Sequence, residues 1–314
     1  MKTKLLFAFC VLFVCHLAAQ SDYSFYLNQA KEKIEEGNCE SAQKWYNVYK
    51  ELTGKSSDFF EKLFIKDCHH DYTENAWDIN MKMVWVEGGD FLMGCTSEQS
   101  DCCYDEQNVR RVTLDGFYIG MLEVTQAQWE KVVGTSDYQQ HIKAKASWSM
   151  YGVGPDYPMY YVSWEEAMEF CRMLSNKTGK TYTLPTEAQW EYAARGGNRN
   201  EGTKYAGSNL IDAVAWHKGN SGDSTHPCGI KESNALGIYD MSGNVWEWCK
   251  DWYSDSYLSN GTNNPTGGPA SGYGRVNRGG SCAFSASRCR VARRSYLWPS
   301  SRGVDLGFRV VSLP

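Results

Sequence analysis

Beyond Met81 glycine, tryptophan and tyrosine become dense and helical stripes grow few, which narrows the architectures open to 314 residues. Short alternating runs take over, and Met83-Val84-Trp85-Val86 and Phe117-Tyr118-Ile119 read as strands. Helix starts are few but well marked. Thr125, Ser163 and Thr186 are each followed three residues on by Gln128, Glu166 and Gln189. Each pair can satisfy two orphan backbone donors reciprocally, so three short helices are expected. Pro185 suits entry into the third from an extended segment, and Gly196-Gly197 suits its left-handed exit. From Gly197 onward no helical period of useful length remains, so glycine-rich loops and short strands must form that half. A backbone this irregular finds its hydrogen-bond partners among side chains, waters or ions. Tryptophan and carboxylate positions therefore deserve the closest reading.

The first 80 residues differ in character. Met1-Lys2-Thr3-Lys4, an apolar run from Leu5 to Val14 and the small Ala18 and Ala19 read as a signal peptide over residues 1–19. Cys15 follows the bulky Phe13 and Val14, which argues against a lipidated cysteine. Residues 20–68 carry three helical stripes: Tyr26, Leu27, Ala30 and Ile34; Ala42, Trp45, Tyr46 and Tyr49; Phe59, Phe60, Leu63 and Phe64. This is similar to one tetratricopeptide-type unit. Because a solenoid needs about three such units, a helical spacer is the better reading than a peptide-binding repeat. Polar residues 69–80 read as a linker, and residues 81–314 as the main domain.

Charge and cysteine content narrow the location and the partners. The net charge is -5 with scattered basic residues, which offers no footprint for a nucleic acid. No later stretch reaches the apolar length of a membrane span, so no transmembrane helix is expected. Of twelve cysteines, Cys10 and Cys15 fall in the leader and ten remain. An even number in an exported chain favours disulfides, and no spacing suits a zinc site. An extracytoplasmic location follows: periplasmic, surface or secreted.

Seven collinear stretches of the main domain carry a family resemblance: residues 83–94, 123–129, 162–167, 184–197, 234–248, 278–281 and 306–309. They include Leu184-Pro185-Thr186-Glu187, Gly243-Asn244-Val245-Trp246-Glu247-Trp248, Arg278-Gly279-Gly280-Ser281 and Leu306-Gly307-Phe308-Arg309. Residues 81–311 thus resemble the formylglycine-generating enzyme, or sulfatase-modifying factor, family. The resemblance implies an α+β domain of C-type-lectin-like fold. It also implies calcium bound by the side chains of Asp240 and Glu247 and the carbonyls of Gly243 and Val245. Asp240 and Glu247 flank a Gly243-Asn244 turn, and calcium favours such a mixture of hard oxygens. The competing reading places Trp246 and Trp248 in the core on one strand face, with Glu247 merely solvated opposite.

Catalytic members of that family oxidise a substrate cysteine using oxygen and one copper ion held by two thiolates four residues apart. Here Cys282 and Cys289 are separated by six residues, and no histidine follows Cys282. Ser281 and Trp246 match pocket positions of the family but bind no copper. The expectation is therefore an exported, non-catalytic ligand- or protein-binding member with structural calcium. The alternative is a divergent copper-dependent oxidase that converts a sulfatase cysteine to formylglycine through Cys282 and Cys289, with Ser281 and Trp246.

Disulfides compete for those thiols, with Cys249–Cys289, Cys228–Cys282 and Cys95 with Cys102 or Cys103 as candidate bridges, and Cys39 and Cys68 as a staple of the helical segment. The arginines crowding the last quarter are expected to pair with acids and loop carbonyls. A smaller role is reserved for a rim of Tyr296, Trp298 and Arg302 that binds a peptide, protein or glycan.

Overall fold

The computed structural model describes residues 23–35, 39–57, 60, 70–147, 149–255, 261–267 and 274–314. The leader, Phe59, Leu63, Phe64 and Cys68 lie outside these residues, as does the Cys39 side chain. The chain divides into two units, 1–70 and 71–314.

In the first unit, α1 (Ser24–Glu35) and α2 (Cys39–Thr53) pack around Ala30, Ile34, Ala42, Tyr46 and Phe60. Tyr46 stacks on Phe60 with ring centres 4.0 Å apart. The first two stripes read from the sequence supply the faces that close on one another; of the third, only Phe60 lies among the described residues.

The second unit begins inside the stretch read as linker. Residues Tyr72–Glu74 form β1, which pairs antiparallel with β2 (Met81–Val86), so the division falls ten residues earlier than residue 81. A run of three residues is too short to show a period, which is why it read as structureless. The strands β3 (Gly89–Met93), β4 (Arg110–Leu114) and β5 (Phe117–Gly120) follow. Next come α3 (Gln126–Val133), α4 (Asp137–Lys143), α5 (Trp164–Thr178), β6 (Thr181–Thr183) and α6 (Glu187–Ala194). After α6 the longer elements are β7 (Trp246–Trp252), β8 (Arg275–Arg278), β9 (Arg294–Leu297), β10 (Leu306–Gly307) and β11 (Val311–Leu313).

All three expected capping boxes are present, at Thr125, Ser163 and Thr186. A fourth, Ser136 with Gln139, opens α4. Gly196 leaves α6 with φ 92°, in the left-handed region.

Two main sheets organise the domain, in the orders β1-β2-β5-β11-β6 and β10-β7-β8-β9, with β3-β4 as a separate ribbon. One core cluster joins β2 to β5 with α6, around Trp190, Tyr192 and Ile119. A second joins α3 and α5 to β7, around Trp129, Phe170, Trp248 and Phe308. Trp129 and Phe170 stack nearly parallel.

Buried ion pairs bind the loops to these cores. Arg294 forks onto Glu187 at 2.6 and 2.8 Å, while Arg278 contacts both Glu187 and Glu191. Arg195 holds Glu191 and Glu98, and Arg290 forks onto Glu106 at 2.7 and 3.0 Å. Each guanidinium fork satisfies a carboxylate that would otherwise be costly to bury.

One disulfide is present among the described cysteines, Cys95–Cys102. The expected Cys249–Cys289 and Cys228–Cys282 bridges do not form, and all four thiols are free and buried. Cys249 faces the Trp190 core from β7, whereas Cys289 packs with Tyr205 and Val214 in another cluster, so each fills a separate apolar niche.

Candidate functional site

The turn between residues 240 and 245 is built around a backbone few residues can adopt. Gly243 has φ 82°, and a Cβ there would stand 2.2 Å from the Trp216 carbonyl oxygen. Asp240 and Asn244 take positive φ as well, at 57° and 58°. The Asn244 backbone N–H donates to Trp216 O at 2.9 Å, which ties the turn to the segment around Trp216.

Three carboxylates meet in one buried place beside that turn: Asp240 from the turn itself, Glu247 from β7, and Glu123 from the loop before α3. Glu247, on β7, is forked by Arg309 with two bonds of 2.6 Å and accepts Trp190 Nε1–H at 2.7 Å. It is buried, not solvated opposite the tryptophans. Glu123 accepts from Asn244 Nδ2 at 2.7 Å and from the Val245 N–H at 3.2 Å, with the Cys228 thiol 3.4 Å away. Asp240 accepts the Gly229 N–H through Oδ2 at 2.7 Å. Its Oδ1 is buried and has no hydrogen-bond partner.

Glu123, Cys228 and Asp240 each direct a ligand atom into one volume, mutually within 4.8 Å. Burial pushes the Glu123 carboxyl well above its ordinary range, and the charges of Asp240 and Glu247 add to this. Burial likewise raises Asp240 to about 6. Arg309 is forked onto Glu247, so the Glu123 and Asp240 carboxyls have no full cation of their own, and burial favours their holding protons unless a divalent cation replaces them. The oxygen donors, the unpartnered Asp240 Oδ1 among them, therefore fit a hard divalent ion. Cys228 and Gly229 also line an open cavity of about 500 Å³ with Tyr239, Met121 and Lys131, so the cluster lies close to solvent.

Sequence reasoning passed over Glu123. Its signal was an acid set between the apolar Leu122 and Val124, just before a capping box.

Ser281 and Trp246 occupy a neighbouring region. Ser281 Oγ donates to Asp305 Oδ2 at 2.6 Å, and the Trp246 ring meets Phe284 edge-on at 5.7 Å. Cys282 and Cys289 are both 0% exposed. Burial raises the Cys282 thiol far above its ordinary value, with Asp305, Glu123 and Cys289 contributing. Burial pushes the Cys289 thiol up to about 12. Cys289 Sγ lies 3.8 Å from Ser285 O and 4.0 Å from Ser281 O.

The aromatic rim is divided in its engagements. Tyr296 stacks on Tyr253 at 4.2 Å, Trp298 is 64% exposed, and Arg302 is tied to Glu166 Oε2 at 3.1 Å and to Ser300 O.

Residues 70–313 match the family described as Sulfatase-modifying factor enzyme 1-like domain. The chain belongs to this family. Within the sulfatase-modifying factor family it is 32% identical to Chaperone protein LppX of Paenibacillus barcinonensis, over 76% of this chain and 92% of that protein. It is 33% identical to the formylglycine-generating enzyme of Mus musculus, over 73% of this chain and 74% of that one. Among solved structures, Treponema denticola variable protein 1 superposes with a TM-score of 0.67 at 31% identity, covering 78% of this chain and 99% of that one. The fold is therefore the α+β, C-type-lectin-like architecture of the family. Its relatives include both named enzymes and a named chaperone, so membership alone leaves the chemistry to the site. Among the described residues no helix is long and apolar enough to cross a membrane.

Proposed function

We propose that this chain is an exported, non-catalytic member of the sulfatase-modifying factor family that binds a protein, peptide or glycan. The observation that carries the reading is the state of Cys282 and Cys289. Copper(I) is held by convergent thiolates, and here both thiols are fully buried and are separated by six residues where the catalytic pair has four. The relative named a chaperone, matched over nearly its whole length, agrees with a binding role. The exposed Trp298 and half-exposed Tyr296 supply aromatic contact surface beside Arg302. The test is to incubate the copper-loaded protein with a Cys-x-Pro-x-Arg peptide and follow its mass. An unchanged peptide is expected, and conversion of its cysteine to formylglycine refutes the reading.

A structural calcium belongs to the same proposal, held by Asp240, Gly243, Val245 and Glu247, with Glu247 sharing its oxygens between the ion and Arg309, which forks both of them. Its support is the free, buried Asp240 Oδ1 and the unbalanced carboxylates around it. When bound, the ion supplies positive charge that orders the 240–247 turn. Chelation is expected to lower the melting temperature and added calcium to restore it; a melting temperature indifferent to both removes the ion from the account.

A copper-dependent oxidase is the second reading, favoured by one observation. Cys282 and Cys289 are both free thiols and delimit one short loop.

A further inference from the structure

The loop joining β3 to β4 carries three sulfurs in nine residues: Cys95, Cys102 and Cys103. Cys95 and Cys102 are bonded to each other. Cys103 is free and exposed, whereas the other free cysteines among the described residues are buried. A guanidinium stands at each of the two adjacent sulfurs. Arg293 Nη1 contacts Cys103 Sγ, and Arg290 Nη1 lies 3.7 Å from Cys102 Sγ. The buried Glu106 carboxylate holds both arginines, accepting from Arg290 at 2.7 and 3.0 Å and from Arg293 at 3.1 Å. Asp105 is the other acid close to Cys103, and it also accepts the Tyr253 hydroxyl at 2.8 Å.

Thiol–disulfide exchange proceeds by attack of a thiolate on a disulfide sulfur, and its rate depends on the attacking sulfur, the leaving sulfur and their access. In this loop the attacker and the leaving group are neighbours in sequence, and each already has an N–H donor fixed upon it. We propose that Cys95, Cys102 and Cys103 form a thiol–disulfide exchange site, with disulfides as its substrate class. Within the chain, Cys103 loses its proton to solvent and its sulfur bonds to Cys95 Sγ. The Cys95–Cys102 bond breaks, and the electron pair departs on Cys102 beside Arg290, where it takes a proton from solvent. The sulfurs are exchanged with no net oxidation. An external disulfide R–S–S–R′ reacts at Cys103 by the same step, giving a mixed disulfide with R and releasing R′ as its thiolate.

The exchange changes more than a bond. Cys95 lines a cavity of about 690 Å³ together with Phe91, Thr96, Glu98 and Arg195, so moving the crosslink by one residue reshapes that wall.

The test uses the full oxidised protein, alkylated with iodoacetamide at mildly alkaline pH and sequenced by tandem mass spectrometry without reduction. One alkyl group per molecule is expected on this pair, found on Cys103 in some molecules and on Cys102 in others. The Cys103→Ser chain is expected to lose the Cys102 label, and its unchanged melting temperature shows that it is folded. Label confined to Cys103 in the wild-type protein overturns the internal step. A second arm uses oxidised glutathione as the probe. Native Cys103 should form the mixed disulfide faster than an unstructured Asp-Cys-Cys-Tyr peptide with one cysteine blocked, and Arg293→Gln should remove that advantage. Equal rates for native protein and peptide reduce Cys103 to an ordinary exposed thiol and overturn the assignment.

Discussion

Replacing Asp251 with asparagine should stabilise this protein in alkali and do much less in acid. Asp251 lies near the end of β7, buried, and accepts the Glu187 N–H, an otherwise orphaned donor at the start of α6, at 2.9 Å. Burial and then the Glu187 charge raise its carboxyl from 3.8 to about 7, against the lowering pull of that hydrogen bond, Arg294 and Lys250. A raised carboxyl contributes its full stability only below its unfolded value and loses it as the pH climbs through its folded value. With each pH unit worth about 1.36 kcal/mol, the wild-type protein should lose about 2–3 kcal/mol from this group between about pH 5 and about pH 8. The amide keeps an oxygen for the Glu187 N–H and never ionises, so Asp251→Asn escapes the loss. For a domain of this size the difference corresponds to roughly 5–10 °C in melting temperature. Urea unfolding of both proteins across that range measures it, with all other titrations common to the pair. Parallel stability curves would show that Asp251 is ionised throughout and would refute the argument.

Three further outcomes follow from other parts of the fold. Glu106→Ala strands the Arg290 and Arg293 guanidinia and should cost about 3–5 kcal/mol in urea unfolding, since it removes one side of a buried charge pair. Gly243→Ala places a methyl against Trp216 O at a left-handed position and should cost about 2–4 kcal/mol, read as a lower melting temperature. Ser136→Ala breaks the capping box of α4 and should cost about 1 kcal/mol by the same measurement.

Helix starts were legible because a capping box is a local device, complete within four residues, and Thr125, Ser163 and Thr186 announced theirs. Ser136 and Gln139 form the same device, but the seven-residue helix they open shows no apolar stripe to draw attention to it. The Met83–Val86 and Phe117–Ile119 runs fall within β2 and β5, which pair antiparallel as residues 83–86 and 117–120. Strand pairing could not be read, since β11 meets β5 across nearly two hundred residues.

Most of the C-terminal arginines were expected to find acids or loop carbonyls, and most do, yet their partners lie far upstream. Arg309 reaches back to Glu247, and Arg290 to Glu106. No local rule links such positions. Asp240 was legible as an acid at a turn, whereas Glu123 joins it only through the three-dimensional path of the loop before α3. The cysteines were the least legible. One bridge fell among the candidate pairings, but a buried thiol and a bonded one look alike until packing is known.

The position of β11 bears on how such a chain can be made. The last strand in sequence lies inside its sheet, hydrogen-bonded on one side to β5 and on the other to β6. A polypeptide emerging amino end first must therefore keep β5 and β6 unjoined until residues 311–313 arrive. Through that interval each exposes a bare flank to any sticky neighbour, and final closure waits on contacts of long sequence separation.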